Sequence, residues 1–229
     1  MKTPLPRPGG LVVRPYRPSD REAVYDICVR TAAAGEDARG QYSTDDLMPD
    51  LFAGPYLHLE PGMAFVLAVD GGEQPGRAVG YVLGTADTEA FVRAYREVWI
   101  PLLGDRYPRP PDPPVTAEEH LLDEHFHPER RLHPELAGHP AHLHIDLLPG
   151  QQGGGHGRAL IETWLAAAAA AGAPAAFLAM DPANTRARGF YDRLGFREIP
   201  VAGGGATHLV RATADQTRSR IPPTPGPPV

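Results

Sequence analysis

Between His142 and Ala171 the chain passes from an aliphatic run, through a turn dense in glycine, into a helix of alanine and leucine. Leu143 to Leu148 has the aliphatic and β-branched content of a central strand, and Pro149 cannot donate to a ladder, so the strand has to stop there. A helix must then begin inside Pro149-Gly-Gln-Gln152-Gly-Gly-Gly155-His-Gly157. Glycines let backbone N–H groups turn toward a ligand, and a new helix adds unpaired amides and the positive end of its dipole. The junction is therefore an anion cradle suited to phosphate. It carries neither a G-x-G-x-x-G run nor a Gly-Lys-Ser/Thr ending, which sets aside a dinucleotide fold and a P-loop.

A second stretch repeats the strand-to-helix plan. Ala175 to Met180 is a short apolar strand, followed by Asp181-Pro-Ala-Asn184-Thr-Arg-Ala187-Arg-Gly-Phe190-Tyr191-Asp-Arg-Leu194-Gly195-Phe196. Ala187, Phe190, Tyr191 and Leu194 fall at helical spacing, and Gly195 stands where a left-handed cap ends a helix. Gln152-x-x-Gly155-x-Gly157 resembles the pyrophosphate-binding signature of the GNAT superfamily of acyl-CoA-dependent N-acetyltransferases, (Gln/Arg)-x-x-Gly-x-(Gly/Ala). Asn184-x-x-Ala187-x-x-Phe190-Tyr191-x-x-Leu194-Gly195-Phe196 resembles that family's next element, and Val13 to Asp20 its opening strand and helix start.

The resemblance spans residues 11 to 212 and implies an α/β fold: a central twisted mixed β-sheet flanked by helices, as one acetyltransferase domain. Residues 1–10 are expected to be a flexible segment and 213–229, which end Ile221-Pro-Pro-Thr-Pro-Gly-Pro-Pro-Val229, a disordered Pro-rich tail. Leu11 to Arg14 makes the first strand, and Ser19-x-x-Glu22 is expected to cap the helix carrying Val24, Ile27 and Cys28. Met63 to Val69 and Ala78 to Gly84 form a hairpin. Thr88 to Leu103 and the helix opened by Thr116-x-x-Glu119 form a two-helix insertion, about residues 85–141, joined by a stiff proline-rich linker from Tyr107 to Pro114. This insertion, with Asp87 to Phe91 at its start and His142 to Asp146 after it, is similar to bacterial GNATs related to the acetyltransferase-like C-terminal domain of eukaryotic O-GlcNAcase.

Composition narrows the partners. A formal net charge of -6 and a pI near 5.9 argue against nucleic acid, which needs a basic face. No run reaches transmembrane length, and Met1 to Gly10 has no apolar core of a signal peptide. Cys28, alone and in an apolar helical pattern, is expected to be a small core residue of a protein in a reducing, cytoplasmic compartment. His120, His125, His127, His133, His139, His142 and His144 crowd one region, but across loops and prolines they match no compact ligand set, so no metal is expected.

The resemblance implies acetyl-CoA as cosubstrate and an amine of a small molecule or peptide as acceptor. The diphosphate is expected on amides from Gln152 through Gly153, Gly154, Gly155, His156 and Gly157 to Arg158. The pantetheine arm and an oxyanion donor are expected at the backbone of Leu147 and Leu148, with Asn184 also counted among the cofactor contacts. Tyr191 matches the family's general acid; its phenol, with a pKa of about 10, lies above a thiol and acts through position rather than strength. For the base, Asp146 ranks first because a charged Asp inside a central strand is unusual unless paired or functional, and His144 second. Both alternate with Leu143, Ile145 and Leu147, so they share one face. A bulge that the family carries in this strand would re-aim a side chain, so the face looking into the acyl site stays open. The loop 34–50, with Glu36, Asp37, Tyr42, Asp45 and Asp46, reads first as solvated and acidic, second as a cation-attracting acceptor wall. A homodimer is left open, and an acetyl-CoA-binding module without transfer is the competing reading.

Overall fold

The computed structural model describes residues 10–71, 74–203 and 205–214. Nearly all of the expected flexible N-terminal segment and most of the Pro-rich tail lie outside the described residues.

Strands β1 (Gly10–Pro15), β2 (Phe65–Asp70), β3 (Ala78–Thr85), β4 (Ala141–Leu147), β5 (Ala175–Met180), β6 (Arg197–Ile199) and β7 (Thr207–Ala212) form one seven-stranded sheet in the order β1-β2-β3-β4-β5-β7-β6. Every pairing is antiparallel except β4 with β5. The helices are α1 (Arg21–Val29), α2 (Leu47–Phe52), α3 (Gly54–Leu59), α4 (Thr88–Ala94), α5 (Ile100–Leu103), α6 (Ala117–Phe126), α7 (His156–Ala170) and α8 (Thr185–Arg193).

Strand β3 is buried along its whole length because the sheet is covered on both faces there. Val79 and Val82 point with Leu143 to the side where α7 lays down Leu160, Ile161, Trp164 and Leu165. Tyr81 and Leu83 point the other way, to Val24, Ile27 and Cys28 of α1, Tyr56 of α3 and Phe91 of α4. Trp164 is fully buried and donates its Nε1–H to the Met63 carbonyl at 3.1 Å. It reaches that depth because residue 84 is glycine: a Cβ there would stand 2.5 Å from the Trp164 ring and 2.2 Å from the His142 carbonyl.

The insertion is helical as expected, with a difference in its first half. The Thr88–Leu103 stretch is broken into α4, a π-helical turn over Tyr95–Trp99, and α5. Asp87 caps α4 through the Ala90 N–H, and the Thr116/Glu119 capping box opens α6. The box expected at Ser19 does not form. Asp20 is buried, its carboxylate takes both guanidinium nitrogens of Arg14 at 2.7 Å and the Arg17 N–H at 2.8 Å, and α1 starts one residue later than Ser19 would have it. A bidentate ion pair to the first strand outweighs a local cap.

Candidate functional site

The site begins where β4 and β5 separate. Their parallel pairing holds only at Ala141–Ala176 and His142–Phe177, whereas β4 stays paired with β3 from His142 to Leu147. The β3–β4 register runs without a shift, so β4 carries no bulge; the one register shift lies between Leu67 and Ala68 of β2. His144 and Asp146 therefore keep a common face. Backbone direction alternates along an antiparallel ladder, and the Leu148 N–H donates to the Val79 carbonyl at 3.1 Å. His144, Asp146 and Leu148 thus turn their backbone groups to β3, while Ile145 and Leu147 turn theirs into the gap. The Leu148 N–H is thus taken by Val79, and its carbonyl accepts from the Gln151 N–H at 2.8 Å. The Leu147 carbonyl is engaged by the Gln152 side-chain amide at 3.0 Å, which folds the turn back over the end of the strand.

The turn ends in a helix N-terminus. Gly153 and Gly155 have φ of 84° and 82°, the left-handed region where L side chains are strained, and Gly155 is the N-cap of α7. The first helical bond runs from Ala159 N–H to the Gly155 carbonyl, so the amides of His156, Gly157 and Arg158 have no intrahelical acceptor. A Cβ on Gly153 or Gly155 would meet nothing within 4 Å, so both face open space. This fits the approach of a phosphate to bare backbone. Gly157 has another reason to lack a side chain: a Cβ would lie 3.0 Å from Cζ of Phe190, where α7 and α8 touch. Asn184 is a helix cap, with Oδ1 accepting from Ala187 N–H at 3.0 Å and Nδ2 donating to the Ala34 carbonyl at 3.3 Å. Its amide thus caps α8 and tethers the loop after α1.

Asp146 is only partly exposed and accepts from Tyr81 Oη at 2.5 Å, with the buried Cys28 thiol on the same cluster. Burial raises its carboxyl above the usual range, against the Tyr81 hydrogen bond that lowers it. Tyr191 is the most buried residue of α8, packed at ring-centroid distances of 5.2 Å and 5.6 Å from Phe190 and Phe196. Burial first, and then the charge of Asp146, push its phenol well above 10. The two candidates therefore sense each other across the end of β4.

His144 heads a chain of hydrogen bonds. Its Nε2 is 3.0 Å from Tyr56 Oη, which is 2.7 Å from Nε2 of the buried His142, whose Nδ1 is 2.8 Å from Thr88 Oγ1. Burial lowers His144 to about 3 and His142 far below its ordinary value, with Arg131 adding to both. Burial thus favours the neutral form of both imidazoles.

The acidic loop is not a free wall. Asp37 pairs with Arg39, Asp45 accepts from Gly40 N–H, and Asp46 pairs with Arg106. The histidines likewise go to separate partners: His125 to Tyr95, His127 to Asp123, His133 against His208. Among the described residues no group of three or more His, Cys, Asp or Glu is arranged to hold a metal ion, and no helix is long and apolar enough to cross a membrane. Sequence reasoning passed over Tyr56, Tyr81 and Thr88. Tyr81 follows from Asp146 only once the register sets them opposite each other.

Residues 22–196 match the Acetyltransferase (GNAT) family. The chain is 30% identical over 194 residues to Protein O-GlcNAcase of Rattus norvegicus, a match covering 84% of this chain and 20% of that protein, and equally to the Mus musculus protein. It thus spans about a fifth of the length of the curated relatives it matches. The crystal structure of SsHAT is similar at 56% identity and a TM-score of 0.84, covering 90% of this chain and 99% of that one. The crystal structure of PH1933 from Pyrococcus horikoshii OT3, at 14% identity and a TM-score of 0.55 over 89% of this chain and 98% of that one, shares the fold.

Proposed function

Since the chain belongs to the Acetyltransferase (GNAT) family, we propose that it transfers an acetyl group from acetyl-CoA to a primary amine of a small molecule or peptide, by direct attack of the amine. The observation that carries this reading is the parting of β4 from β5 beyond His142–Phe177, which leaves strand backbone open beside the bare N-terminus of α7. The amides from Gly153 to Arg158 hold the diphosphate, and the gap-facing groups of Ile145 and Leu147 receive the pantetheine arm. Bound there, the thioester supplies the acyl group; the protein supplies position and two protonatable side chains.

Asp146, whose carboxyl burial raises above the ordinary range, takes the proton of the incoming ammonium better than an ordinary carboxylate. Tyr191 gives its phenolic proton to the departing sulfur. Its high pKa keeps it protonated, and the burial that raises the phenol also raises a thiolate held beside it, as it does the thiol of Cys28. Once Asp146 has taken a proton its charge no longer opposes ionisation of Tyr191, so the base primes the acid.

A thermal-shift titration with acetyl-CoA followed by an acetylation screen over an amine library tests the reading. A raised melting temperature with acetylated product is the expected result. Stabilisation by acetyl-CoA without product on any amine would make the protein a binding module instead.

A further inference from the structure

We propose that His144, Tyr56, His142 and Thr88 form a proton relay that leads from the Asp146 face of β4 to a separate cavity at the other end of the strand. The relay rests on the acetyl-transfer reading and gives it an exit for the proton released by the amine.

The direction of every bond follows from one carbonyl. Thr88 Oγ1 lies 2.7 Å from the Pro140 carbonyl and 2.8 Å from His142 Nδ1. A hydroxyl has one proton, and two oxygens at 2.7 Å without a proton between them repel, so Thr88 donates to Pro140. His142 must then carry its proton on Nδ1 and offer Nε2 as acceptor. Tyr56 donates to that nitrogen and accepts from His144, which is protonated on Nε2 and leaves its Nδ1 with a lone pair. That nitrogen makes no hydrogen bond among the described residues, and it is not one of the buried unpartnered atoms. An accessible base therefore stands on the face that also carries Asp146.

The low proton affinity of His144 rules out storing a second proton there, with Arg131 acting on both histidines. A chain of neutral groups avoids that cost. The Thr88 hydroxyl first turns from the Pro140 carbonyl to the cavity; His144 Nδ1 then gains the second proton, which the attacking nitrogen sheds after Asp146 has taken the first, as its Nε2–H passes to Tyr56, the Tyr56 proton to His142 Nε2, the His142 Nδ1 proton to Thr88, and the Thr88 proton to water. One proton enters, one leaves, and no imidazolium persists. The middle is shielded: Phe91 stacks on Tyr56 at 4.4 Å and Phe52 meets the edge of His144 at 6.1 Å. At the far end the buried Thr88 lines a cavity of about 490 Å³ with Arg131, His133, His139, Pro140 and Phe177.

Thr88→Val keeps the shape of the side chain and removes the relay hydroxyl; Thr88→Ser restores it. Turnover of an identified amine should fall in Thr88→Val by about 10²-fold with KM for acetyl-CoA unchanged, and Thr88→Ser should recover most of the loss. The solvent deuterium effect on kcat should show several protons in flight in the parent and fewer in Thr88→Val. Tyr56→Phe, which cuts the same chain, should give the same pattern should Thr88→Val fail to fold. Independently of activity, nitrogen-15 spectra of the imidazoles should show His142 protonated on Nδ1 and His144 on Nε2. The opposite tautomers, or parental turnover and isotope effect in a folded Thr88→Val protein, would overturn the relay alone. Inactivity of the parent on every amine would overturn the acetyl-transfer reading and, with it, the relay as a catalytic device.

Discussion

Tyr81 and Asp146 face each other in register on neighbouring strands, and the tyrosine donates to the carboxylate at 2.5 Å beneath the end of β4. This bond holds down a carboxyl that burial pushes up, so Tyr81→Phe should raise Asp146 further. With ionised Asp146 as the base, the acid limb of the kcat/KM profile should move to higher pH in Tyr81→Phe. An unmoved limb in the folded variant would remove Asp146 from the base role.

The same shift has a cost in stability. A carboxyl with a folded pKa above its ordinary 3.8 binds its proton more tightly when folded, so its ionised form destabilises the protein. That destabilisation is absent below about pH 3.8, grows as pH rises through the folded value, and is complete above it. Asp146→Asn should therefore melt higher than the parent at pH 7 while losing turnover, and the gain should vanish toward pH 3. Equal melting temperatures at both pH values would contradict the assigned shift.

Gly157 tests packing against ligand approach. Gly157→Ala puts a Cβ 3.0 Å from the Phe190 ring, and overpacking of this kind costs about 1–3 kcal/mol, more than the roughly 1 kcal/mol that alanine gains in a helix. Urea denaturation should show a net loss, and adding Phe190→Leu should recover much of it. Gly155→Ala meets no neighbour but must adopt φ near 82°, at a cost of roughly 1–2 kcal/mol. Its effect should fall on acetyl-CoA affinity, by about tenfold in calorimetry, because the amides after it lose their aim.

How much of this was legible in the chain depends on how local the cause is. The glycine pattern announced a helix start and its bare amides, since Gly153 and Gly155 need only their own backbone angles. The alternation of His144 and Asp146 with leucine and isoleucine gave their shared face. Gly157 was legible as a position but not as a reason, because Phe190 belongs to another helix. The parity that turns Leu148 away and Ile145 in depends on a strand 69 residues earlier (residue 148 against residue 79) only through the β3–β4 register. Ser19 lost its cap to Arg14, an ion pair that no local rule anticipates. His142 looked like one scattered histidine among many until Tyr56 and Thr88 closed on it.

Tyr191→Phe keeps the ring that packs between Phe190 and Phe196 and removes the hydroxyl alone. Stability and acetyl-CoA affinity should stay near parental, while turnover falls by about 10² to 10⁴, the usual worth of general acid catalysis. The pH profile adds a constraint. Burial and the Asp146 charge raise the phenol well above 10, so Tyr191 holds its proton across the working range and contributes no falling limb below about pH 10. A general acid with an ordinary phenol would begin to fail there. Parental turnover in Tyr191→Phe, measured where the chemical step limits the rate, would leave the tyrosine as a packing residue and pass protonation of the sulfur to water or another group.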